Sequence, residues 1–356
     1  MDLLDCKSLT LGELKEKFQK LGIPSFRAVQ VRSWLDRGVD NFDEMTNLPL
    51  SLRNELKNIF WIPGINIKKK LVSQIDYTVK YLYSLYDGEN IESVLMKYRH
   101  GWSQCLSTQV GCKMGCSFCA TGIDGCVRNL LPSEMLAQIE KAQADHNIRV
   151  SSIVLMGMGE PLDNYDNVLK FLKLLGEPGG VEIGMRHVTL STCGLVDKIY
   201  KLMEQRLQIT LSVSLHAPND EIRSKMMPVN KRWPVNEVLK ACKEYAEVTG
   251  RRVSFEYAMV SGVNDSDECA VELARRLKGI HCHVNLIPLN EVSDSNNTLP
   301  KSSRELNPLQ SSAKERIDSF KSLLEKMGVN VTVRRTLGAD INASCGQLRR
   351  RHQQGL

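Results

Sequence analysis

Apolar positions along this chain change period twice, and those changes divide it. In residues 1–62 they recur at helical spacing. Leu11, Leu14, Phe18 and Leu21 follow a capping-box signal, Thr10-Leu11-Gly12-Glu13. Ala28, Val31, Trp34 and Leu35 predict a second helix, and Leu48, Leu52, Leu56 and Ile59 a third, entered through Pro49. From residue 67 to 96 the period shortens to two: Val79, Tyr81, Tyr83 and Leu85 alternate before an Asp87-Gly88 turn, and Ile91 to Met96 return with Glu92 in the second arm. Beyond the hairpin, expected strands at 106–109, 152–156, 187–191, 208–214, 253–257 and 283–287 alternate with helical stretches beginning near Ser133, Asn164, Leu195, Val235 and Asp265, and with another over 313–327. A last strand is expected at 329–334.

Strands separated by helices imply parallel crossovers, so the expected fold class is α/β: a partial (β/α)6 barrel, since eight units would need more core residues than remain. Four segments follow: a helical unit over 1–62, a connecting β-hairpin over 63–104, the barrel over 105–334 and a tail over 335–356. Residues 290–312 read as a polar, serine-rich loop long enough to contact substrate.

Composition is that of a folded globular chain, 356 residues with 42% hydrophobic and 25% charged positions. Without an apolar run of about 18 residues or a signal-peptide start, a cytoplasmic protein with no membrane partner is expected. The net charge of +6 leans toward an anionic partner such as nucleic acid. Arg27, Arg32, Arg37, Arg53 and Lys57 are expected on the surface of the helical unit, as a solvated face or an RNA-docking one. Eleven cysteines, an odd count without an export signal, argue for reduced thiols that bind metal or react.

The densest chemistry lies between Cys105 and Cys119. Cys112, Cys116 and Cys119 form a C-x3-C-x2-C pattern, able to hold three irons of a 4Fe-4S cluster and leave the fourth open to the amino and carboxylate groups of S-adenosylmethionine. A zinc site completed by Cys105, Cys126 or a histidine is the rival, although the second C-x2-C knuckle usual for zinc is missing. Barrel sites collect at the C-terminal strand ends, and Gly157-Met158-Gly159-Glu160-Pro161, Ser191-Thr192-Cys193-Gly194, Ser214-Leu215-His216 and Asn290 all follow expected strands. Gly159 and Glu160 are expected at the methionine moiety of the cofactor, with Glu160 accepting from its ammonium. Ser191, Ser214, Leu215, His216 and Asn290 are expected around its carboxylate, ribose and adenine, with local capping as the alternative for each polar one. Cys6, Cys126, Cys193, Cys242, Cys269 and Cys282 read as structural.

These motifs, with Ser107-Thr108-Gln109-Val110-Gly111 before the first cysteine, Ser214 to Pro218, Ala343-Ser344-Cys345-Gly346-Gln347-Leu348 in the tail and Phe42-Asp43-Glu44-Met45-Thr46-Asn47-Leu48-Pro49 in the helical unit, resemble the radical S-adenosylmethionine RNA methyltransferase family over nearly the whole chain. The resemblance is nearer to the branch that methylates adenine carbon 2 than to the one that methylates carbon 8. It implies that Cys345 carries the methyl group as S-methylcysteine, and that two S-adenosylmethionine molecules are used per turnover. It further implies that Cys105 removes the base proton and resolves a protein–RNA adduct, leaving a Cys105–Cys345 disulfide, and that Glu92 is a proton acceptor. The implied substrates are 23S rRNA at the peptidyl-transferase centre and tRNA, with flavodoxin or ferredoxin as electron donor and a monomeric chain. Cys193 stands where the family pattern leads one to expect serine. From another class, a non-catalytic, metal-stabilised RNA-binding protein would share the cysteine loop without needing the Cys345 tail.

Overall fold

The protein is described from a computed structural model over residues 3–289, 309–341, 343 and 349. Helices α1 (Leu11–Lys20), α2 (Ser25–Asp36) and α3 (Leu50–Lys57) close around Leu14, Phe18, Val31, Leu35, Leu56 and Phe60, with short strands β1 (Leu4–Asp5) and β2 (Phe60–Trp61) paired beneath them. The Thr10 capping box is present: Thr10 Oγ1 accepts from Glu13 N and the Glu13 carboxylate accepts from Thr10 N. Arg32 corrects an expectation. It is buried, tied to Asp36 at 2.7 Å and to the Leu9 carbonyl at 3.2 Å, because it has an i,i+4 partner on α2 and meets a backbone carbonyl from the turn ahead of α1. Polar ties run from this unit to the main domain: Lys7 to Glu140, Ser133 to Asp5, and Lys170 to Glu13.

Strands β3 (Asn66–Val72), β4 (Val79–Ser84) and β5 (Asn90–Tyr98) form an antiparallel meander that contains the expected hairpin. It is continuous with the main sheet. β5 pairs with β6 (Gly101–Cys105), and β6 runs parallel to β9 (Val150–Leu155). β10 (Val188–Thr192), β11 (Thr210–Ser214), β12 (Val253–Met259), β13 (Cys282–Pro288) and β14 (Val331–Val333) follow in parallel, giving, among the described residues, one ten-stranded sheet with β14 and β3 at its edges.

The crossovers are α4 (Pro132–His146), α5 (Tyr165–Leu175), α6 (Val196–Glu204), α7 (Asp220–Met226) with α8 (Val235–Thr249), α9 (Asp267–Leu277) and α10 (Lys314–Lys326). Their apolar faces cover the sheet in one core that includes Ile139, Phe171, Ile199, Tyr245, Leu273 and Phe320. Six strand–helix units therefore form the expected partial barrel, and α7 is an element the hydropathy pattern did not reveal. Among the described residues no helix is long and apolar enough to cross a membrane.

The first barrel strand differs from expectation: it is β6, not 106–109. Ser103 and Gln104 break the apolar pattern here, yet both are buried, and Gln104 Nε2 donates to Ser93 Oγ at 2.9 Å and to the Gln138 carbonyl at 2.8 Å. An amide whose donor bonds are made to neighbouring elements can sit on a buried strand. Residues 106–108 instead bridge to β7 (Gln109–Gly111), which pairs in a separate ribbon with β8 (Cys126–Asn129).

Candidate active site

Shifting the first strand puts Cys105 at its C-terminal end, on the wall of a cavity of about 800 Å³ at the barrel mouth. There it packs with Val94, Met96, Val154, Met156, Leu337 and Ala343. The loop after it is closed at its base by the β7–β8 ribbon, where Cys112 N donates to the Gly125 carbonyl at 2.7 Å. Gly111 makes that closure possible: its φ is +82°, and a Cβ there would lie 2.1 Å from Gly125 O. Inside the loop Cys112, Cys116 and Cys119 all line the cavity. Burial is the main reason the Cys112 thiol is pushed up to about 12, with the neighbouring Cys119 adding to it. Cys116 is pushed up in the same way, by burial and then by Cys119 and Cys112.

The glycine turn after β9 passes close beneath this segment. At Gly159, with φ +100°, a Cβ would meet Gln109 Cβ at 2.5 Å, so only glycine fits the approach. Gln109 Oε1 accepts from Glu160 N at 2.8 Å and fixes the turn. Glu160 is buried on the cavity wall, with Oε1 accepting from Leu162 N at 3.0 Å and Oε2 from Cys193 N at 2.7 Å. Burial raises its carboxyl despite these bonds. A cationic donor reaching this carboxylate would favour its ionised form.

Ser191 and Ser214 also line the cavity, at the ends of β10 and β11. His216 follows Ser214 in a left-handed conformation, φ +57°, buried edge-on against Phe118 at 4.8 Å. Its Nδ1 accepts from Ala258 N at 2.9 Å, which assigns the proton to Nε2. Burial, then the Arg223 guanidinium, lowers its pKa to about 3, so the ring is a neutral hydrogen-bond donor. Leu215 does not reach the wall; it is fully buried in the core, and its amide donates to the Glu256 carbonyl at 3.1 Å. Asn290 and Cys345 lie outside the described residues. Glu92, expected in the second hairpin arm, is on β5 and fully buried, paired with Lys80 at 3.0 Å.

Sequence reasoning missed two residues that shape the mouth. Arg223 on α7 is fully buried and donates to the carbonyls of Cys193 at 2.6 Å, Ser214 at 3.2 Å and Leu215 at 3.2 Å, tying the ends of β10 and β11 together. Nothing in its local sequence distinguishes it from a surface arginine. Glu256 on β12 lines the cavity and accepts from Ser212 Oγ at 2.7 Å and Asn285 Nδ2 at 2.8 Å. An acid inside the apolar run Phe255-Glu256-Tyr257 was a readable signal. Cys193 is buried at the wall, its thiol pushed up by burial and by Glu160, as fits a structural residue. Among the described residues no group of three or more His, Cys, Asp or Glu side chains is gathered to hold a single ion.

A parallel partial barrel whose mouth carries three cysteines on a loop after its first strand, with a glycine turn and polar strand ends opposite, defines a radical S-adenosylmethionine enzyme. Residues 106–277 match the Radical SAM superfamily model, and residues 1–62 match the ribosomal RNA large subunit methyltransferase N-terminal domain. The chain belongs to the RlmN family of radical S-adenosylmethionine methyltransferases. It is 50% identical to the probable dual-specificity RNA methyltransferase RlmN of Alkaliphilus oremlandii over 99% of this chain and 100% of that protein. It is also 50% identical to the protein of the same description from Clostridium novyi, over 97% of each. The crystal structure of a radical SAM methyltransferase from Sphaerobacter thermophilus matches with a TM-score of 0.86 and 42% identity, covering 97% of this chain and 98% of that one. The cofactors are those of the superfamily, a 4Fe-4S cluster and S-adenosylmethionine, and the donor set suits them: three thiols, a buried carboxylate and neutral hydrogen-bond donors share one cavity wall.

Proposed function

We propose that this enzyme methylates carbon 2 of an adenine in 23S rRNA, and in tRNA, with Cys345 as the methyl carrier. Cys112, Cys116 and Cys119 would hold the cluster, and Gly159, Glu160, Ser191, Ser214 and His216 would hold S-adenosylmethionine. When bound, these cofactors supply the methyl group and a hydrogen-abstracting radical. Such chemistry suits the target, because carbon 2 lies between two ring nitrogens and is too electron-poor to attack a methyl sulfonium directly.

The chain's own residues divide the remaining work. Glu160 accepts from the cofactor's ammonium, and His216, kept neutral by burial, donates from Nε2 without adding charge. Cys345 carries the methyl group and joins the base; Cys105 removes the base proton, and its sulfur then bonds to that of Cys345, breaking the carrier's sulfur–carbon bond and releasing the methylated base. The target adenine is flipped or already in a loop, since an adenine edge inside folded RNA must be unstacked before it can reach a cavity. Exposed Arg334 and Arg335 on the cavity rim, with Lys68 and Lys69 on β3, offer phosphate contacts. Electrons come from a flavodoxin- or ferredoxin-type donor.

One observation carries the reading. The wall that bears Cys112, Cys116 and Cys119 also bears Cys105 and Ala343, two residues ahead of Cys345 in the chain. Under anaerobic turnover with RNA, Cys105→Ala is expected to accumulate a covalent protein–RNA adduct, and Cys345→Ala to give neither adduct nor product. Full turnover by Cys345→Ala would refute the carrier role.

A further inference from the structure

Lys80 on β4 and Glu92 on β5 are both fully buried and 3.0 Å apart. A buried ion pair holds only when further hydrogen bonds satisfy its remaining atoms. One such bond comes from far along the chain: Glu92 Oε1 accepts from the backbone N–H of Arg349 at 2.6 Å. The Arg349 side chain, itself buried, reaches Glu89 Oε2 at 3.1 Å. A second set of ties lies upstream. Gly338 N donates to Asp76 Oδ2 at 2.8 Å, and the Asp340 carboxylate accepts from Ser73 Oγ at 2.7 Å and from Gln74 N at 2.9 Å. Leu337 and Ala343 pack between, against Val94, Met96 and Cys105.

Both ties end on the antiparallel meander and bracket position 345 in sequence. We propose that the β3–β5 meander is the seat of the C-terminal tail, and that Lys80 and Glu92 are positioning residues for the tail that carries Cys345. The inference rests on the carrier role of Cys345. It gives Glu92 work distinct from the proton-acceptor role implied by family resemblance: the carboxylate oxygens are engaged by a lysine ammonium and a tail amide. Lys80 has no catalytic assignment, so it separates the two roles.

The test compares the full-length, anaerobically reconstituted enzyme with Glu92→Gln and Lys80→Met. A glutamine offers one acceptor and one donor group where the carboxylate meets both the Lys80 ammonium and the Arg349 amide, so at least one of these is lost. Amides of residues 338–349 are read by hydrogen exchange with mass spectrometry, and the methylated fraction of the Cys345 peptide by mass. Both variants are expected to exchange the tail about tenfold faster or more, with α4 and β9 unchanged, and to carry less methyl on Cys345; Lys80→Arg restores both readings. Unchanged tail exchange overturns the proposal, and so does a loosened tail with undiminished methylation. Where Glu92→Gln does not fold, Asp76→Ala removes the acceptor of the Gly338 amide, one of the upstream ties, and must loosen the tail likewise. A tail loosened as expected in an enzyme whose wild type never carries methyl on Cys345 would leave the seat standing and sink the carrier role.

Discussion

Gly111→Ala isolates the device that closes the cysteine loop. The new Cβ would stand 2.1 Å from Gly125 O at a backbone φ of +82°. Left-handed strain for a non-glycine residue costs about 1–2 kcal/mol, and forcing an extra carbon into packed surroundings about 1–3 kcal/mol. Together the cost is roughly 2–5 kcal/mol. Opening the hairpin releases it at the expense of the Cys112 N to Gly125 O bond and a few ribbon bonds, each worth a net ~1 kcal/mol. Local opening therefore wins over global unfolding, and the three thiols lose their common geometry. Gly250→Ala is the control: its φ is +66°, but nothing lies within 4 Å of the added carbon, so only the strain applies, at the C-cap of α8. Iron and sulfide per chain are measured after anaerobic reconstitution. Gly111→Ala is expected to retain well under half of the wild-type cluster, Gly250→Ala all of it, and Cys112→Ala none. A full complement in Gly111→Ala would refute the reasoning, and a colourless, zinc-loaded wild type would refute the cluster itself.

Two further outcomes follow from buried groups at the mouth. The folded pKa of His216, about 3, lies below its ordinary 6.5, so on acidification the unfolded chain takes up a proton that the folded chain refuses. Its contribution to stability is present above pH 6.5 and is lost as pH falls toward about 3, by up to ~1.4 kcal/mol per pH unit. Denaturant midpoints against pH should lose that slope in His216→Gln, whereas a His216 ring that titrates near 6.5 by NMR would contradict the assignment. Arg223→Leu strips donors from the carbonyls of Cys193, Ser214 and Leu215. At about 1–3 kcal/mol for each unsatisfied group, it should destabilise by several kcal/mol, with Arg223→Lys recovering part of the loss; an unchanged denaturation midpoint would rule out the clamp.

The barrel was legible because hydropathy carries it: the apolar runs at β9 to β13 and the amphipathic helices between them each had one reading. β6 was not, because Ser103 and Gln104 are buried polar residues, and the partners of the Gln104 amide, Ser93 and Gln138, come from other elements. Of the site, the cysteine spacing, glycine turn and strand-end polar groups were visible in sequence. Arg223 was hidden in a short helix with an ordinary charge pattern. The same limit explains Arg32 and Glu92. Local sequence shows a charge but not the distant partner, Leu9 for one and Arg349 for the other, that lets it be buried.

The central claim, carbon-2 methylation through Cys345, is tested most directly by the nucleoside itself. RNA carrying the target, treated anaerobically with wild-type or Cys345→Ala enzyme and digested, is compared by mass spectrometry and retention with 2-methyladenosine and 8-methyladenosine. The account predicts 2-methyladenosine from the wild type and neither product from Cys345→Ala. 8-Methyladenosine from the wild type, or any methylated adenosine from Cys345→Ala, would contradict it.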